Sequence, residues 1–197
     1  MGRIVLIRHG QVDIDQAEWI AGNTLSSFVG RYDEARIMTS VVLPRSVLEI
    51  ARTADLVVCS DQRRSLESAS LMAPDADVLS GTEYREAGLP TAFRTHLRLR
   101  ADLWLAVARA AWLVGWAPDC ETVDDVKARA GRVAMNLVHL ASERRSVVLV
   151  GHAVFNRYIA GSLRRQGLVG PRLIPTRPWG LAEYKIEPLP NATLQRT

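Results

Sequence analysis

Residues 4–10 read Ile-Val-Leu-Ile-Arg-His-Gly, and residues 147–152 read Val-Val-Leu-Val-Gly-His. Each stretch is a run of four aliphatic residues followed within two positions by a histidine, His9 in the first and His152 in the second. Short, continuous apolar runs are typical of strands that are buried on both faces of a parallel sheet. Because ligands bind beyond the carboxyl ends of such strands, we expect the two histidines to face one small volume at the same edge of the sheet.

The segments between and around these two runs alternate between strand and helix. The alternation predicts an α/β fold, specifically a three-layer α/β/α sandwich with a mostly parallel central sheet. Residues 11–43 are expected to form a long polar loop. The further predicted strands are 56–59, 77–79 and 181–186, and the predicted helices are 45–54, 61–72, 122–141 and 154–165.

The length of 197 residues fits a single domain, 1–197. We expect a small helical lobe to be inserted at about residues 88–120, because Trp104, Ala108 and Trp112 recur at the four-residue spacing of a helix face. With Trp116, the two tryptophans are expected to form an exposed apolar patch through which two chains pair as a homodimer.

Composition excludes several classes of function. A hydrophobic content of 48% with 23% charged residues is that of an ordinary soluble globular protein. The two cysteines lack metal-binding or redox spacing, and we therefore expect a reducing, cytoplasmic location. Arg3 and Arg8 interrupt the N-terminal apolar stretch, so we do not expect it to be a signal peptide. The apolar segment 102–117 is shorter than the roughly 20 residues of a membrane helix, and the scattered arginines do not predict a nucleic-acid groove.

Charged groups follow three of the predicted strands. Arg8 and His9 end the first strand, His152 follows a later one, and Arg64 lies about one turn into the helix after strand 56–59. Helix N-termini favour anions through their free amide groups and their dipole. Two imidazoles and two arginines at such a position indicate an anion site, and phosphate is the anion that we expect there.

At these residues the chain resembles the histidine phosphatase superfamily, which has the phosphoglycerate mutase-like fold. Arg8, His9 and Gly10 match the Arg-His-Gly signature of that family, which makes His9 the nucleophile that becomes phosphorylated. Residues 60–69 resemble the family block Ser-Pro-Leu-x-Arg-Ala-x-x-Thr-Ala, in which Arg64 takes the place of the phosphate-binding arginine.

The remaining family positions follow in order, and the resemblance spans residues 3–165. Tyr-Arg-Glu at 84–86 resembles the segment that supplies the general acid, which would be Glu86, with Glu83 as an alternative. Glu121 and the next residue resemble the Gly-Glu-Ser block, and His152 falls where the second active-site histidine is found.

The chain also departs from the family pattern near the expected phosphate. Asp61 stands where proline is usual, Ser68 replaces threonine, and Ala153 replaces a common glycine. The stretch after Gly10 lacks the usual threonine and asparagine, and Asn23 is our candidate for a substitute phosphate ligand.

The resemblance implies a phosphatase that hydrolyses a phosphomonoester through a phosphohistidine on His9, without a metal or an organic cofactor. Arg8, Arg64 and a protonated His152 would hold the phosphate oxygens, and the substrate would be a phosphorylated small molecule or a phosphoprotein. The alternatives are a phosphoglycerate mutase-type phosphotransferase, a phosphohistidine-protein phosphatase and a catalytically inactive phosphate-binding protein. A cysteine phosphatase is excluded because only four residues separate Cys59 from Arg64, whereas its loop needs five.

Overall fold

The computed structural model of the protein describes residues 2–40 and 42–186. Its strands are β1 (Arg3–Arg8), β2 (Trp19–Ala21), β3 (Leu56–Ser60), β4 (Val78–Gly81), β5 (Arg98–Arg100), β6 (Ser146–Gly151) and β7 (Leu181–Lys185). Its α-helices are α1 (Leu25–Glu34), α2 (Arg45–Ala51), α3 (Arg63–Met72), α4 (Ala101–Leu113), α5 (Val123–Glu143) and α6 (Ala153–Arg165).

Five strands form the central sheet, in the order β4-β3-β6-β1-β7. β1 is parallel to β6, with Arg8 opposite Gly151, and β6 is parallel to β3. Only the edge strand β7 runs antiparallel, beside β1. Because β1 and β6 end in register, the residues that follow them, His9 and His152, leave the sheet at the same edge.

The central sheet is covered by helices on both faces, which confirms the three-layer sandwich. Alternate side chains of each strand point to opposite sides, as the pleat requires. Ile4 and Leu6 of β1 therefore belong to the core cluster that α5 and α6 complete. Val5 and Ile7 belong to a second cluster, which contains residues of α2 and α3. All four side chains are fully buried.

Local sequence signals predict the start of α5 correctly and the start of α3 incorrectly. α5 starts at a complete capping box, in which the side chains of Thr122 and Asp125 each accept a hydrogen bond from the other's backbone N–H. α3 begins two residues later than expected, at Arg63 with Gln62 as its N-cap. Ser60, which resembles an N-cap in the sequence, ends β3 instead and is free to use its hydroxyl elsewhere.

The prediction of a long loop over residues 11–43 is wrong, because this stretch contains β2 and the ten-residue helix α1. β2 pairs with β5, and α1 and α4 form a small separate core of their own. The lobe beside the sheet is therefore built from two distant segments, and its core residues are Ile20, Leu25, Phe28, Ala101, Trp104 and Ala108.

The tryptophans of the lobe do not form the expected exposed patch. Of the three tryptophans in that prediction, Trp104 and Trp112 are almost completely buried, and only Trp116, at 38% exposure, reaches the surface. Apolar residues at four-residue spacing pack into a core whenever a second element covers the helix face, as α1 covers α4 here. The predicted homodimer therefore has no exposed tryptophan patch to support it and stays a prediction. Among the described residues, no helix combines the length and apolar character that crossing a bilayer requires.

Candidate active site

His9 and His152 form a packed pair at the carboxyl edge of the sheet. Their ring centroids lie 5.1 Å apart, with the rings edge to face. His9 is 3% exposed and His152 is fully buried. The parallel pairing of β1 and β6 thus brings together two histidines that are 143 positions apart in the chain.

The turn after His9 depends on a glycine. A Cβ atom at Gly10 would lie 2.7 Å from the indole of Trp179, so any larger residue would displace the indole or the turn. The Gly10 N–H donates to the Ser68 hydroxyl, which in turn donates to the Arg64 carbonyl. The turn that carries His9 is therefore tied to the helix that carries Arg64.

His9 is held as a neutral imidazole with a free ring nitrogen. Its Nδ1 lies 2.7 Å from the Gly10 carbonyl oxygen, which can only accept, so Nδ1 carries the proton and donates it. Burial, reinforced by the positive charge of Arg64, lowers the pKa of His9 to about 3. Nε2 consequently keeps its lone pair at neutral pH, as a nucleophile requires.

His152 is oriented by two serine hydroxyls. Its Nε2 lies 2.7 Å from Ser60 Oγ and 3.2 Å from Ser65 Oγ. Burial, followed by the nearby His9 and Arg64, lowers the pKa of His152 well below its usual value. His152 is thus neutral in this structure, unlike the protonated form expected from the sequence. Either serine hydroxyl can donate to Nε2, and in that tautomer the ring proton lies on Nδ1, which is then a neutral hydrogen-bond donor.

The two neutral histidines make stability depend on pH. Below a pH of about 6.5 the unfolded chain binds protons that the folded chain does not, so stability falls as the pH drops from 6.5 towards 3. We expect each histidine to contribute about 1 kcal/mol per pH unit to this slope. Urea unfolding of the wild type and of His9→Asn between pH 7 and pH 4 measures the difference. An unchanged slope in His9→Asn, or an equal change in the exposed control His139→Gln, would contradict the assignment.

Arg64 lies close enough to both histidines for its charge to lower their pKa values, and its side chain is only 3% exposed. Its Nη1 donates to Asp33 Oδ1 at 3.0 Å, and its Nη2 donates to Gln62 Oε1 at 2.9 Å. The ring of Tyr32 faces the guanidinium, with Cζ 5.0 Å from the ring centroid. Arg64 is therefore fixed in position by an acid, an amide and an aromatic ring.

Buried polar atoms without a hydrogen-bond partner are concentrated at this site. Within the described residues, such side-chain atoms are Nε of Arg8, Nε of Arg64, Nδ1 of His152 and Oδ1 of Asn156. Three of the four can donate, and an unpaired buried donor costs free energy unless a ligand satisfies it. The donors therefore suit an anion that accepts several hydrogen bonds at once, such as phosphate.

A groove of about 460 Å³ opens beside Arg64, between α1 and the segment around residues 86–91. Its wall includes Glu86, Arg109 and Asp119 as well as Arg64. Of the two candidate acids, Glu86 lies on this wall, whereas Glu83 is exposed and does not line the groove.

Glu86 makes three hydrogen bonds to backbone N–H groups. Its Oε1 accepts from Phe155 at 2.8 Å and from Ala87 at 2.9 Å, and its Oε2 accepts from Val154 at 3.1 Å. Two of these donors belong to the first turn of α6, where the helix dipole favours an anion. Glu86 thus joins the groove to the N-terminus of the helix that follows His152.

Arg129 of α5 fixes the segment that carries Glu86. Its Nη1 donates to the carbonyls of Glu83 and Arg85 at 2.8 and 2.9 Å. Glu121, from the block that resembles Gly-Glu-Ser, forms an ion pair with the same guanidinium, and the ring of Phe155 packs against it. These contacts give Glu121 a role in supporting the site at a distance.

Other residues considered from the sequence lie elsewhere. Asn23 lies near His96, with Asn23 Nδ2 and His96 Nδ1 3.5 Å apart, in a neighbouring cavity rather than beside the histidine pair. Asn156 is buried and donates to the Ile7 carbonyl. Burial raises the pKa of Cys59 to about 11, so this residue is a thiol and not a thiolate at neutral pH.

Several residues of the site were not found from the sequence. Ser60 and Ser65 orient His152, and Asp33 and Tyr32 contact Arg64. The two serines lie within the block that contains Arg64, so their position near the site was a usable signal. No comparable signal marked residues 32 and 33, which fall in the stretch expected to be a loop.

Comparisons with known proteins agree with this architecture. The model of the histidine phosphatase superfamily (branch 1) matches residues 45–188, a range that includes Arg64, Glu86 and His152 and begins after His9. Comparison with curated protein sequences gives no significant match.

Two solved structures illustrate the similarity. The native structure of mycobacterial glucosyl-3-phosphoglycerate phosphatase is 26% identical, with a TM-score of 0.56 over 83% of this chain and 80% of that chain. A mutant phosphoserine phosphatase from Entamoeba histolytica in complex with phosphoserine is 17% identical, with a TM-score of 0.56 over 84% and 81% of the two chains.

Proposed function

The chain belongs to the histidine phosphatase superfamily, and from that premise we propose that it is a phosphatase that hydrolyses a phosphomonoester through a phosphohistidine on His9. One observation carries the proposal: buried donors of Arg8, Arg64 and His152 lack a partner around His9, whose ring packs against His152 and whose pKa is lowered by the charges of both arginines. The similarity to the mycobacterial glucosyl-3-phosphoglycerate phosphatase supports the reaction class.

The first half of the reaction transfers the phosphoryl group to the enzyme. The lone pair on His9 Nε2 attacks phosphorus and forms an N–P bond while the P–O bond to the leaving alcohol breaks. The departing oxygen takes a proton from Glu86, which lies on the groove wall. Oε1 of Glu86 accepts two hydrogen bonds and Oε2 accepts one, so Oε2 has a lone pair available for the transferred proton.

The second half releases phosphate. Water attacks the phosphorus of the phosphohistidine, gives its proton to Glu86, and breaks the N–P bond. Arg8 and Arg64 offset the charge on the phosphoryl oxygens in both halves, and His152 donates from neutral Nδ1. These groups supply the nucleophile, the proton and the charge stabilisation, so neither half requires a metal or an organic cofactor.

The groove is lined by Arg64 and Glu86 but by neither histidine, and its size favours a phosphorylated small molecule as the substrate. A volume of about 460 Å³ lies in the range of sites for small ligands. Both cysteines are free, which fits the reducing cytoplasm that we propose as the location.

The test is to assay the purified full-length chain on p-nitrophenyl phosphate and to quench turnover in base, where phosphohistidine is stable. We expect release of p-nitrophenol and a phosphoryl group on the peptide that contains His9, identified by mass spectrometry. Hydrolysis without a phosphoenzyme would rule out the covalent route. A phosphoryl group on another residue would assign the nucleophile elsewhere.

Glu86→Gln tests the proton donor. The loss in kcat should be larger for an alkyl phosphate than for p-nitrophenyl phosphate, because p-nitrophenolate leaves without a proton. The amide NH₂ would also face the N–H donors of α6, so stability should fall by about 1–3 kcal/mol. Glu83→Gln is the matched control and should change neither quantity. Equal losses on both substrates would remove Glu86 from the acid role.

The hydrogen bonding of Glu86 also favours a second candidate, a phosphate-binding protein without catalysis. Both of its oxygens accept backbone hydrogen bonds, which is the arrangement of an ionised carboxylate rather than of an acid. Binding of inorganic phosphate with no turnover of either ester would favour this function over hydrolysis.

A further inference from the structure

Arg64 is held by an element that lies outside the region matched by the family model. Helix α1 spans Leu25–Glu34, whereas the match begins at residue 45. Tyr32 and Asp33, at the end of this helix, contact the face and the edge of the guanidinium. The environment of the phosphate-binding arginine therefore contains a feature that the matched region does not supply.

The ion pair between Arg64 and Asp33 is asymmetric. The side chain of Arg64 is 3% exposed, while that of Asp33 is 44% exposed and reaches the groove. Asp33 uses one oxygen, Oδ1, which accepts from Arg64 at 3.0 Å and from Gln62 at 3.1 Å. Arg64 is thus fixed, whereas the Asp33 carboxylate can rotate towards the solvent at a small cost in free energy.

Asp33 and a phosphate group require the same cation. We propose that Asp33 is a built-in competitor for phosphate, which pairs with Arg64 in the resting site and releases it when a phosphomonoester binds. The inference rests on the proposed role of Arg64 as a phosphate ligand. It makes Asp33 a residue that sets affinity at the site rather than a catalytic residue.

Two other contacts keep Arg64 in position when Asp33 leaves. Gln62 accepts from Nη2 at 2.9 Å, and Tyr32 stacks on the guanidinium. Tyr32 does not contact the carboxylate, and Gln62 binds Arg64 through Oε1 while only its Nε2 donates to Asp33. Loss of Asp33 therefore frees Nη1 of Arg64 and Nε2 of Gln62, while both contacts to the guanidinium remain available. The same competition favours product release, because Asp33 forms its ion pair with Arg64 again as inorganic phosphate leaves.

The experiment is to measure the Kd of inorganic phosphate by titration calorimetry for the wild type and Asp33→Asn. We expect the Kd to fall roughly threefold to tenfold in the variant, because phosphate no longer displaces an anion. KM for p-nitrophenyl phosphate should fall with it, while kcat stays level or decreases. Glu34→Gln is the matched control, since it removes the same charge from the next, exposed residue of α1 and should leave Kd unchanged.

A Kd that rises or stays constant in Asp33→Asn would overturn the inference, since it would show that Asp33 orients Arg64 or does not compete. An equal fall in Glu34→Gln would also overturn it, by assigning the effect to net charge. If Asp33→Asn does not fold, Asp33→Ser serves the same purpose. Tighter phosphate binding by Asp33→Asn in a chain that hydrolyses no ester would support the competition and separately defeat the phosphatase proposal.

Discussion

His9→Ala is expected to abolish the phosphoenzyme and to lower kcat for p-nitrophenyl phosphate by at least about a thousandfold. The reason is that Nε2 of His9 is the free imidazole nitrogen at the site, while Nε2 of His152 is bonded to Ser60 and Ser65. His152 therefore cannot take over the covalent step through Nε2. The assay measures kcat and the amount of phosphoenzyme in parallel.

The binding of phosphate should survive this substitution. Arg8, Arg64 and His152 retain their donors in His9→Ala, so inorganic phosphate should still bind within about tenfold of the wild-type affinity. His139→Ala is the matched control, because its side chain is 69% exposed on α5, and it should retain full activity. Appreciable hydrolysis by His9→Ala would refute the nucleophile, whereas joint loss of hydrolysis and phosphate binding would indicate a collapsed site.

Arg64→Ala is expected to lower kcat/KM by at least about a hundredfold. Arginines that neutralise charge in phosphoryl transfer contribute about 10³–10⁵ in rate, and Arg64 is one of two arginines with an unpaired buried Nε at this site. The loss should exceed that of a mere binding group, because the phosphoryl oxygens gain charge stabilisation from Arg64 in both half-reactions. Steady-state kinetics on p-nitrophenyl phosphate provide the measurement.

The neighbouring residue gives a close control for Arg64. Arg63 begins the same helix, but its side chain is 46% exposed and pairs with Glu67 four residues later. Arg63→Ala removes an identical charge and should cost less than about twofold in kcat/KM. A loss below tenfold in Arg64→Ala, or equal losses in the two variants, would show that general charge and not the position of Arg64 matters. Arg64→Lys should have a kcat/KM close to that of Arg64→Ala, because a lysine cannot make the contacts that orient the guanidinium.

Much of the sheet could be predicted from the chain alone. The apolar runs that include Ile4 and Val147 are continuous because both faces of β1 and β6 are covered, and their short length and β-branched residues favour strands over a buried helix. The capping box at Thr122 was equally readable, since both of its partners lie within four residues. Signals of this kind survive because the residues that generate them are neighbours in sequence.

The lobe was harder to predict because its core is divided between two segments. Leu25 and Phe28 of α1 acquire an apolar partner only when α4 packs against them. α1 ends at Glu34 and α4 begins at Ala101, 67 positions later in the chain. Without that partner, a short helix of mixed polarity resembles a loop. The same separation hid the burial of Trp104.

The amino-acid sequence by itself determined the α/β class, the edge of the sheet at which His9 and His152 meet, and the arginine that accompanies them. The tertiary structure decided how these groups are used. Ser60 orients His152, and Glu86 accepts hydrogen bonds from the first turn of α6. Asp33 accepts a hydrogen bond from Arg64. The physical reason is the range of the interactions. Hydrophobic periodicity and capping are written into adjacent residues, whereas the partner of a buried polar group depends on which distant surfaces packing brings within hydrogen-bond distance.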